Sequence, residues 1–225
     1  MHDRQPSFDR HAESYQELHA KSLKAAGSGD TPEYFALYKL RCLERLGAKE
    51  PILDFGCGIG NLTEHLVESF RDVHGYDPST ESLRLAKARA ESATFHHDLQ
   101  TVPDGSFGTV VLAGVLHHVE PSARSELLFS VKNKLLPGGR IVVFEHNPFN
   151  PFTRRVVAAC AFDDDAVLLW PWQLRRLLTE SGFIGVDLQY IVFFPKFLAA
   201  LRPFEPKLSR LFVGAQTMCV GSKAA

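Results

Sequence analysis

The sequence of 225 residues contains no uninterrupted apolar run near the ~20 residues that a membrane-spanning helix requires. Its opening residues, Met1-His2-Asp3-Arg4-Gln5-Pro6, lack the apolar core of a secretory signal. Cysteine is scarce and scattered. Cys42, Cys57, Cys160 and Cys219 form no C-x-x-C pair, which argues against a zinc cage or a disulfide framework and points to a reducing compartment. Neither sign of charge prevails, with 25 Lys+Arg against 26 Asp+Glu, so nucleic acid is not an expected partner. Repeats, low-complexity tracts and long linkers are absent as well. With 45% hydrophobic residues the chain can fill a core, and the expectation is one soluble, cytoplasmic domain over 1–225.

From Pro51 to His146, short β-type runs alternate with helical patterns, the sign of a parallel sheet with crossover helices. Pro51–Gly56, Val73–Asp77, Thr94–Asp98, Phe107–Gly114 and Gly139–Glu145 read as strands. Between them, Leu62, Leu66 and Phe70 share one helical face, as do Leu83, Ala86 and Ala90 behind an N-cap at Ser79. A helix from about Ser122 buries Leu128, Val131 and Leu135 and stops at Pro137-Gly138-Gly139. Another opens at Thr31-Pro32 and carries Leu40, Leu43 and Leu46. Asn147 to Trp170 reads as irregular, followed by a helix over about 172–181 and two β-rich runs, Ile184–Phe194 and Val213–Gly221. The expected parts are an N-terminal helical cap (1–50), a cofactor-binding core (51–146), an acceptor-side insert and helix (147–182), and C-terminal strands with a lid (183–225).

The informative stretch is Leu53-Asp-Phe-Gly-Cys-Gly-Ile-Gly-Asn61, directly after a strand and before a helix. Glycines at 56, 58 and 60 let the backbone approach a ligand that a Cβ would push away. Asp77 closes the next strand, where its carboxylate can accept from both hydroxyls of a ribose. A nucleoside cofactor follows. The dinucleotide fingerprint G-x-G-x-x-G is not met, because Asn61 holds its third glycine position. Asp54 is awkward beside a pyrophosphate but suits a cationic ligand, which favours S-adenosyl-L-methionine with its ribose and sulfonium. Cys57 reads as a small residue tolerated in a tight loop.

These residues resemble the first motif of class I S-adenosylmethionine-dependent methyltransferases. Gly75-Tyr-Asp-Pro-Ser, with Pro78 after Asp77, is similar to their second-strand motif. Phe107-Gly-Thr-Val-Val-Leu-Ala-Gly-Val-Leu-His-His-Val resembles the fourth-strand motif, and Leu136-Pro-Gly-Gly-Arg-Ile-Val-Val-Phe the fifth. The resemblance implies that Gly56 and Gly58 line the methionine moiety, Asp77 binds the ribose, Asp98 and Leu99 meet the adenine edge, and Gly114 and Val115 border the sulfonium. It also implies a Rossmann-like, doubly wound α/β fold whose mostly parallel sheet has seven strands, the C-terminal two antiparallel. Gly108 departs from the family pattern at a position that is usually structural. Two rival readings remain open here, a non-catalytic cofactor-binding partner subunit and a NAD(P)-dependent oxidoreductase.

Methyl transfer is an in-line displacement that relies on alignment, with a general base only where the acceptor must lose a proton. His117, His118 and His146 lie near C-terminal strand ends, where α/β sheets hold ligands, and are the catalytic candidates. His96 and His97 share that location. No metal is expected, because neighbouring residues on a strand point to opposite faces and cannot converge on one ion. The segment Glu145–Arg155 is rich in polar groups where the family it resembles often builds its acceptor pocket. Asp163-Asp164-Asp165 could bind a cationic or hydroxyl-rich acceptor or a hard metal, with a solvated acidic loop or helix cap the favoured account. Phe193 to Phe204 is rich in aromatics among Lys196, Arg202, Lys207 and Arg210. Core packing under a helical lid broken by Pro203 and Pro206 is the favoured account, and receipt of a lipid-like acceptor or peripheral membrane contact the other. Trp170 and Trp172 could wall the pocket or staple a helix to the core. The expected activity is methylation of a small-molecule acceptor, apolar or lipid-linked.

Overall fold

The computed structural model describes residues 15–25, 27, 29–160, 163 and 166–225. Seven strands, β1 (Ile52–Phe55), β2 (Val73–Tyr76), β3 (Thr94–His96), β4 (Phe107–Ala113), β5 (Leu135–His146), β6 (Ile184–Ile191) and β7 (Gln216–Ser222), form one sheet in the order β3-β2-β1-β4-β5-β7-β6. The first five run parallel, and β7 is antiparallel to both β5 and β6. The helices are α1 (Tyr15–Ala25), α2 (Pro32–Leu46), α3 (Thr63–Ser69), α4 (Thr80–Arg89), α5 (Arg124–Lys134), α6 (Pro151–Ala158) and α7 (Pro171–Glu180). This is the Rossmann-like doubly wound sheet that the motifs imply, with the antiparallel pair at its C-terminal side. Among the described residues, no helix is long and apolar enough to cross a membrane.

Alternation along the strands splits the core into two layers. Leu53, Val110, Leu112, Ile141 and Val143 face Leu128 and Val131 of α5 and Leu174 and Leu178 of α7. Ile52, Val111, Val142 and Phe144 face Leu40 and Leu43 of α2 and Leu66 of α3. Burial on both faces explains why β4 and β5 read as continuous apolar runs, and each side chain so enclosed contributes about 1.5–3 kcal/mol. Thr31 caps α2 by accepting from the Tyr34 amide, and Ser79 caps α4 by accepting from the Ser82 amide. Gly108 is structural, as expected: a Cβ there would stand 2.7 Å from the carbonyl oxygens of Lys49 and Glu50.

Several expectations are corrected. The helix expected to run through Leu135 ends at Lys134, because the Gly105 and Ser106 amides take the carbonyls of Asn133 and Lys134. Leu135 instead begins β5, paired with Phe107. The stretch after Asn147 is not irregular throughout, since α6 starts where Asn150 accepts from the Phe152 and Thr153 amides ahead of Pro151. Within the N-terminal segment expected to be a helical cap, α1 precedes α2. The aromatic segment does not pack into the core. It forms 3₁₀ turns over Lys196–Leu208, and Phe197 is 77% exposed, with Phe204 also exposed. Trp170 and Trp172 neither wall the pocket nor enter the core: they stack on each other at 5.0 Å beside Phe149, and Trp172 is exposed.

Asn147, fully buried at the end of β5, ties the β6–β7 connection in place. Its Nδ2 donates to the carbonyls of Phe212 (2.8 Å) and Gly214 (2.6 Å), and its Oδ1 accepts from the Phe149 amide. Replacing it by Ala strands these buried groups, and Asn147→Ala is expected to cost about 2–3 kcal/mol in urea unfolding. Leu211→Ala, at an exposed site of the same connection, should change stability by less than about 0.5 kcal/mol.

Candidate active site

Strand order reverses between β1 and β4, and at that switch point α/β sheets open a crevice at the C-terminal strand ends. A cavity of about 610 Å³ lies there, within the range that accepts a cofactor-sized ligand. The loop after β1 forms one wall. Its Gly56 and Cys57 amides both donate to the Tyr76 carbonyl, at 2.7 and 3.0 Å. Gly56 adopts φ +74°, and a Cβ on it would stand 2.7 Å from Cγ2 of Val115, just past β4. The glycine therefore lets the two motifs close on each other.

Asp77, at the end of β2, is buried and faces the cavity. Its Oδ2 accepts from the Gly58 amide at 2.8 Å and its Oδ1 from the Ser79 amide at 2.9 Å. Those bonds fix the carboxylate against the glycine loop. A carboxylate offers about four acceptor positions, so sugar hydroxyls can bind beside the amides. The N-cap of α4 is Ser79, so Asp77 is not needed to cap that helix.

Asp54 is buried below the loop and accepts from the Thr63 hydroxyl at 2.7 Å. Burial raises its pKa to about 6 against the opposing pull of that bond. Lys39 of α2 lines the same enclosure, and burial brings its pKa down to about 8 while the charges of Asp54 and Glu145 act in the other direction. Cys57 is buried, and burial pushes its thiol well above the ordinary range, so it is not a reactive thiolate.

The opposite wall carries the histidines. Gly114 turns the chain at φ +73°, and Leu116–His118 forms a 3₁₀ turn closed by the His118 and Val119 amides on the carbonyls of Val115 and Leu116. The turn brings the rings of His117 and His118 to 4.1 Å, and the His146 ring lies 5.1 Å from His117. The strand-alternation argument against converging histidines therefore fails at His117-His118. Glu145 of β5, 2% exposed, accepts from the Leu116 amide at 2.8 Å and meets His117 Nδ1 at 2.6 Å. Asp163 faces the other ring nitrogen, 3.5 Å from His117 Nε2 and 3.4 Å from His118 Nε2. Burial alone would lower the His117 pKa, but Glu145 and then Asp163 hold it up at about 10. Burial opposes ionisation of Glu145 and Asp163, yet both lie below the usual carboxylate range, held there chiefly by His117.

Every site residue named from the sequence lines this cavity except Gly60 and Asp98. Gly60 packs on Ala86 of α4, and Asp98 sits in an adjacent shallow hollow with Tyr76 and Leu99. Pro78 and Leu99 line the cavity, as does Asn61, whose carboxamide oxygen accepts from Arg89 of α4. His96 lies apart, stacked on His74. The sequence reading missed Lys39, reached Glu145 only as the start of a polar segment, and favoured a solvated loop over a metal or acceptor role for Asp163. Asp164 and Asp165 lie outside the described residues.

A family model described as a methyltransferase domain matches residues 29–186. The chain belongs to the methyltransferase domain family. The class I resemblance of its motifs is thereby borne out. An uncharacterized methyltransferase of Anoxybacillus flavithermus is 34% identical over 94 residues, covering 40% of this chain and 44% of its own. A ubiquinone biosynthesis O-methyltransferase of Psychrobacter cryohalolentis is 34% identical over 161 residues, covering 63% and 62%. A SAM-dependent methyltransferase structure from Archaeoglobus fulgidus has a TM-score of 0.65 at 18% identity, over 83% of this chain and 93% of its own. The chain spans 44–62% of the length of the first curated relatives it matches.

The close approach of Gly56 to Val115 gives a direct test. Gly56→Ala adds both a clash and an unfavourable positive φ, and should lower stability by roughly 2–3 kcal/mol in urea unfolding. Gly105→Ala, where φ is +59° but nothing lies within 4 Å, should cost only about 1 kcal/mol.

Proposed function

We propose that the chain binds S-adenosyl-L-methionine in the crevice between Gly56–Gly58 and Gly114–Val115 and methylates a small, apolar or lipid-linked acceptor held against His117, His118 and His146. The observation that carries this reading is Asp77, locked by the Gly58 and Ser79 amides with its carboxylate at the cavity wall. Bound there, S-adenosylmethionine supplies an electrophilic methyl group on its sulfonium. Asp77 accepts from the ribose hydroxyls, and Tyr76 and Leu99 border the base. Asp54 attracts the ammonium of the methionine tail and Lys39 its carboxylate, a pairing suited to a zwitterion. Asp98 reaches the adenine edge from the rim. His117, oriented by Glu145, and its neighbours His118 and His146 bind and align the acceptor, while the surrounding wall excludes water.

The finer reading of the acceptor rests on what surrounds that wall. Val119, Leu127, Phe144 and Val156 supply an apolar lining. Phe149, Phe152, Trp172 and Phe212 are exposed, and the Phe149 ring packs against those of Trp172 and Phe212. The name of the Psychrobacter relative, a ubiquinone biosynthesis O-methyltransferase, supports an acceptor of this kind.

Calorimetry with S-adenosylhomocysteine tests the reading. One equivalent should bind to the wild type, and Asp77→Asn should weaken binding by about 10–100-fold, the loss of charge-assisted hydrogen bonds. Equal affinity in both proteins defeats it. The pH dependence has a definite sign. The Asp54 pKa of about 6 is that of the unliganded fold, and the ligand ammonium favours the carboxylate, so binding must release a proton below that pH. Affinity is expected to fall as pH drops from 7 to 5, approaching tenfold per unit at its steepest. Asp54→Asn should flatten the profile.

A further inference from the structure

The chemistry gathered on the histidine wall exceeds what a pair of hydrogen bonds requires. His117, His118 and Asp163 each offer one ligand atom, and the three atoms lie within 4.8 Å of one another. Asp163 stands almost equally far from the two Nε2 atoms, at 3.5 and 3.4 Å. A normal N–H···O bond is 2.7–3.2 Å, so these separations are long for hydrogen bonding. They match the edge of a tetrahedron whose centre lies ~2.0–2.1 Å from each corner, the bond length of nitrogen and carboxylate oxygen to zinc.

The surroundings suit the same purpose. His117 presents Nδ1 to Glu145 at 2.6 Å, which leaves Nε2 on the side facing Asp163. A ligating histidine nearly always has its other ring nitrogen bonded in this way, commonly to a carboxylate. The loop bearing Asp163 is anchored on both sides. The Asp163 amide donates to the Cys160 carbonyl, the Ala166 amide to the Asp163 carbonyl, and the Val167 amide to the His117 carbonyl at 2.8 Å. Arg124 straps the two segments together by donating to the carbonyls of Val119 and Val167. The carboxylate is thus held against the imidazoles by backbone bonds that do not involve the ligand atoms.

We propose that His117, His118 and Asp163 bind one divalent transition-metal ion, with Glu145 as the outer partner of His117 and with the open coordination positions facing the cavity. Two imidazoles and one carboxylate suit zinc, iron(II), cobalt(II) or manganese(II) better than magnesium or calcium, which favour all-oxygen sets. Three protein ligands leave room for a further donor, as in metal sites that act on a substrate. Its natural occupant is an oxygen of the acceptor, which makes the acceptor an oxygen nucleophile such as a hydroxyl. That last step rests on the methyltransferase reading; the metal site itself does not.

The test uses the full chain, stripped with a chelator and titrated with Zn²⁺ by calorimetry, with metal content measured after gel filtration. The expected result is one zinc per chain at micromolar affinity or tighter. Asp163→Asn and His118→Ala should each weaken binding by at least about 100-fold, and Glu145→Gln by about 10–100-fold. His96→Ala, which alters the separate His74–His96 pair, should leave the affinity unchanged. Co²⁺ should give visible d–d bands of a four- or five-coordinate ion that vanish in Asp163→Asn, provided thermal unfolding shows that variant folded. If Asp163→Asn does not fold, His118→Ala takes its place. Sub-stoichiometric uptake, or affinity insensitive to Asp163 and His118 but lost in His96→Ala, overturns the site. S-adenosylhomocysteine binding to the metal-free protein separates the two ideas. Intact binding without zinc uptake removes the metal alone, and failure of the nucleoside to bind removes the methyltransferase reading.

Discussion

The loop after β1 and the turn after β4 come from motifs more than fifty residues apart, and they meet where Gly56 lies against Val115. That approach sets the width of the crevice at the strand reversal. It holds the glycine loop, tied to Asp77, on one side and the 3₁₀ turn of His117 and His118 on the other. Neither wall forms a site alone. The parallel register of β1 with β4 carries both chain segments to the same edge of the sheet, with Phe55 opposite Leu112. A side chain at position 56 would force the segments apart, and the polar groups on each wall would lose their common focus.

The histidine wall carries an unusual share of enclosed charge. Glu145, His117 and Asp163 form a line of ionisable groups in which each outer carboxylate depends on the imidazole between them. Such a chain contributes little net stability, since bringing the charges out of water costs about as much as their attraction returns, and it is strongly destabilised when one member is removed. Its value lies in fixing the direction of a ring. The Leu116 amide completes the arrangement by occupying the second oxygen of Glu145.

How much of this could be read in the sequence depended on the range of the determining interaction. Strand runs, the Ser79 and Thr31 caps and the buried stripe of Leu83, Ala86 and Ala90 are local signals, and the elements follow them. The glycine loop and Asp77 were readable for the same reason, because the chemistry of each resides in residues that are close in the chain or one crossover apart. The end of α5 was not readable, since the groups that take its last carbonyls belong to Gly105 and Ser106. Asn150-Pro151 was a local cap signal for α6 that went unused. Lys39, Glu145 and Asp163 reach the cavity wall only through contacts between distant segments. A lysine on a helix carries no mark of it, and the polar segment at Glu145 and the acidic triplet give only a diffuse one that does not single out the residue. The aromatic stretch after Ile191 misled because apolar composition was equated with burial, whereas it forms 3₁₀ turns, kinked at Leu198, that leave Phe197 and Phe204 outside.

The position of β7 has a consequence for how the molecule is made. It lies between β5 and β6, so the strand bearing Glu145 and His146 has no neighbour on that flank until residues 216–222 have left the ribosome. During synthesis, β5 therefore presents an open row of amides and carbonyls. The half that carries the glycine loop, from β1 to β4, can assemble while the chain is still growing. The histidine wall takes its final form only with the late insertion of a strand that itself contributes Gln216 to the cavity lining.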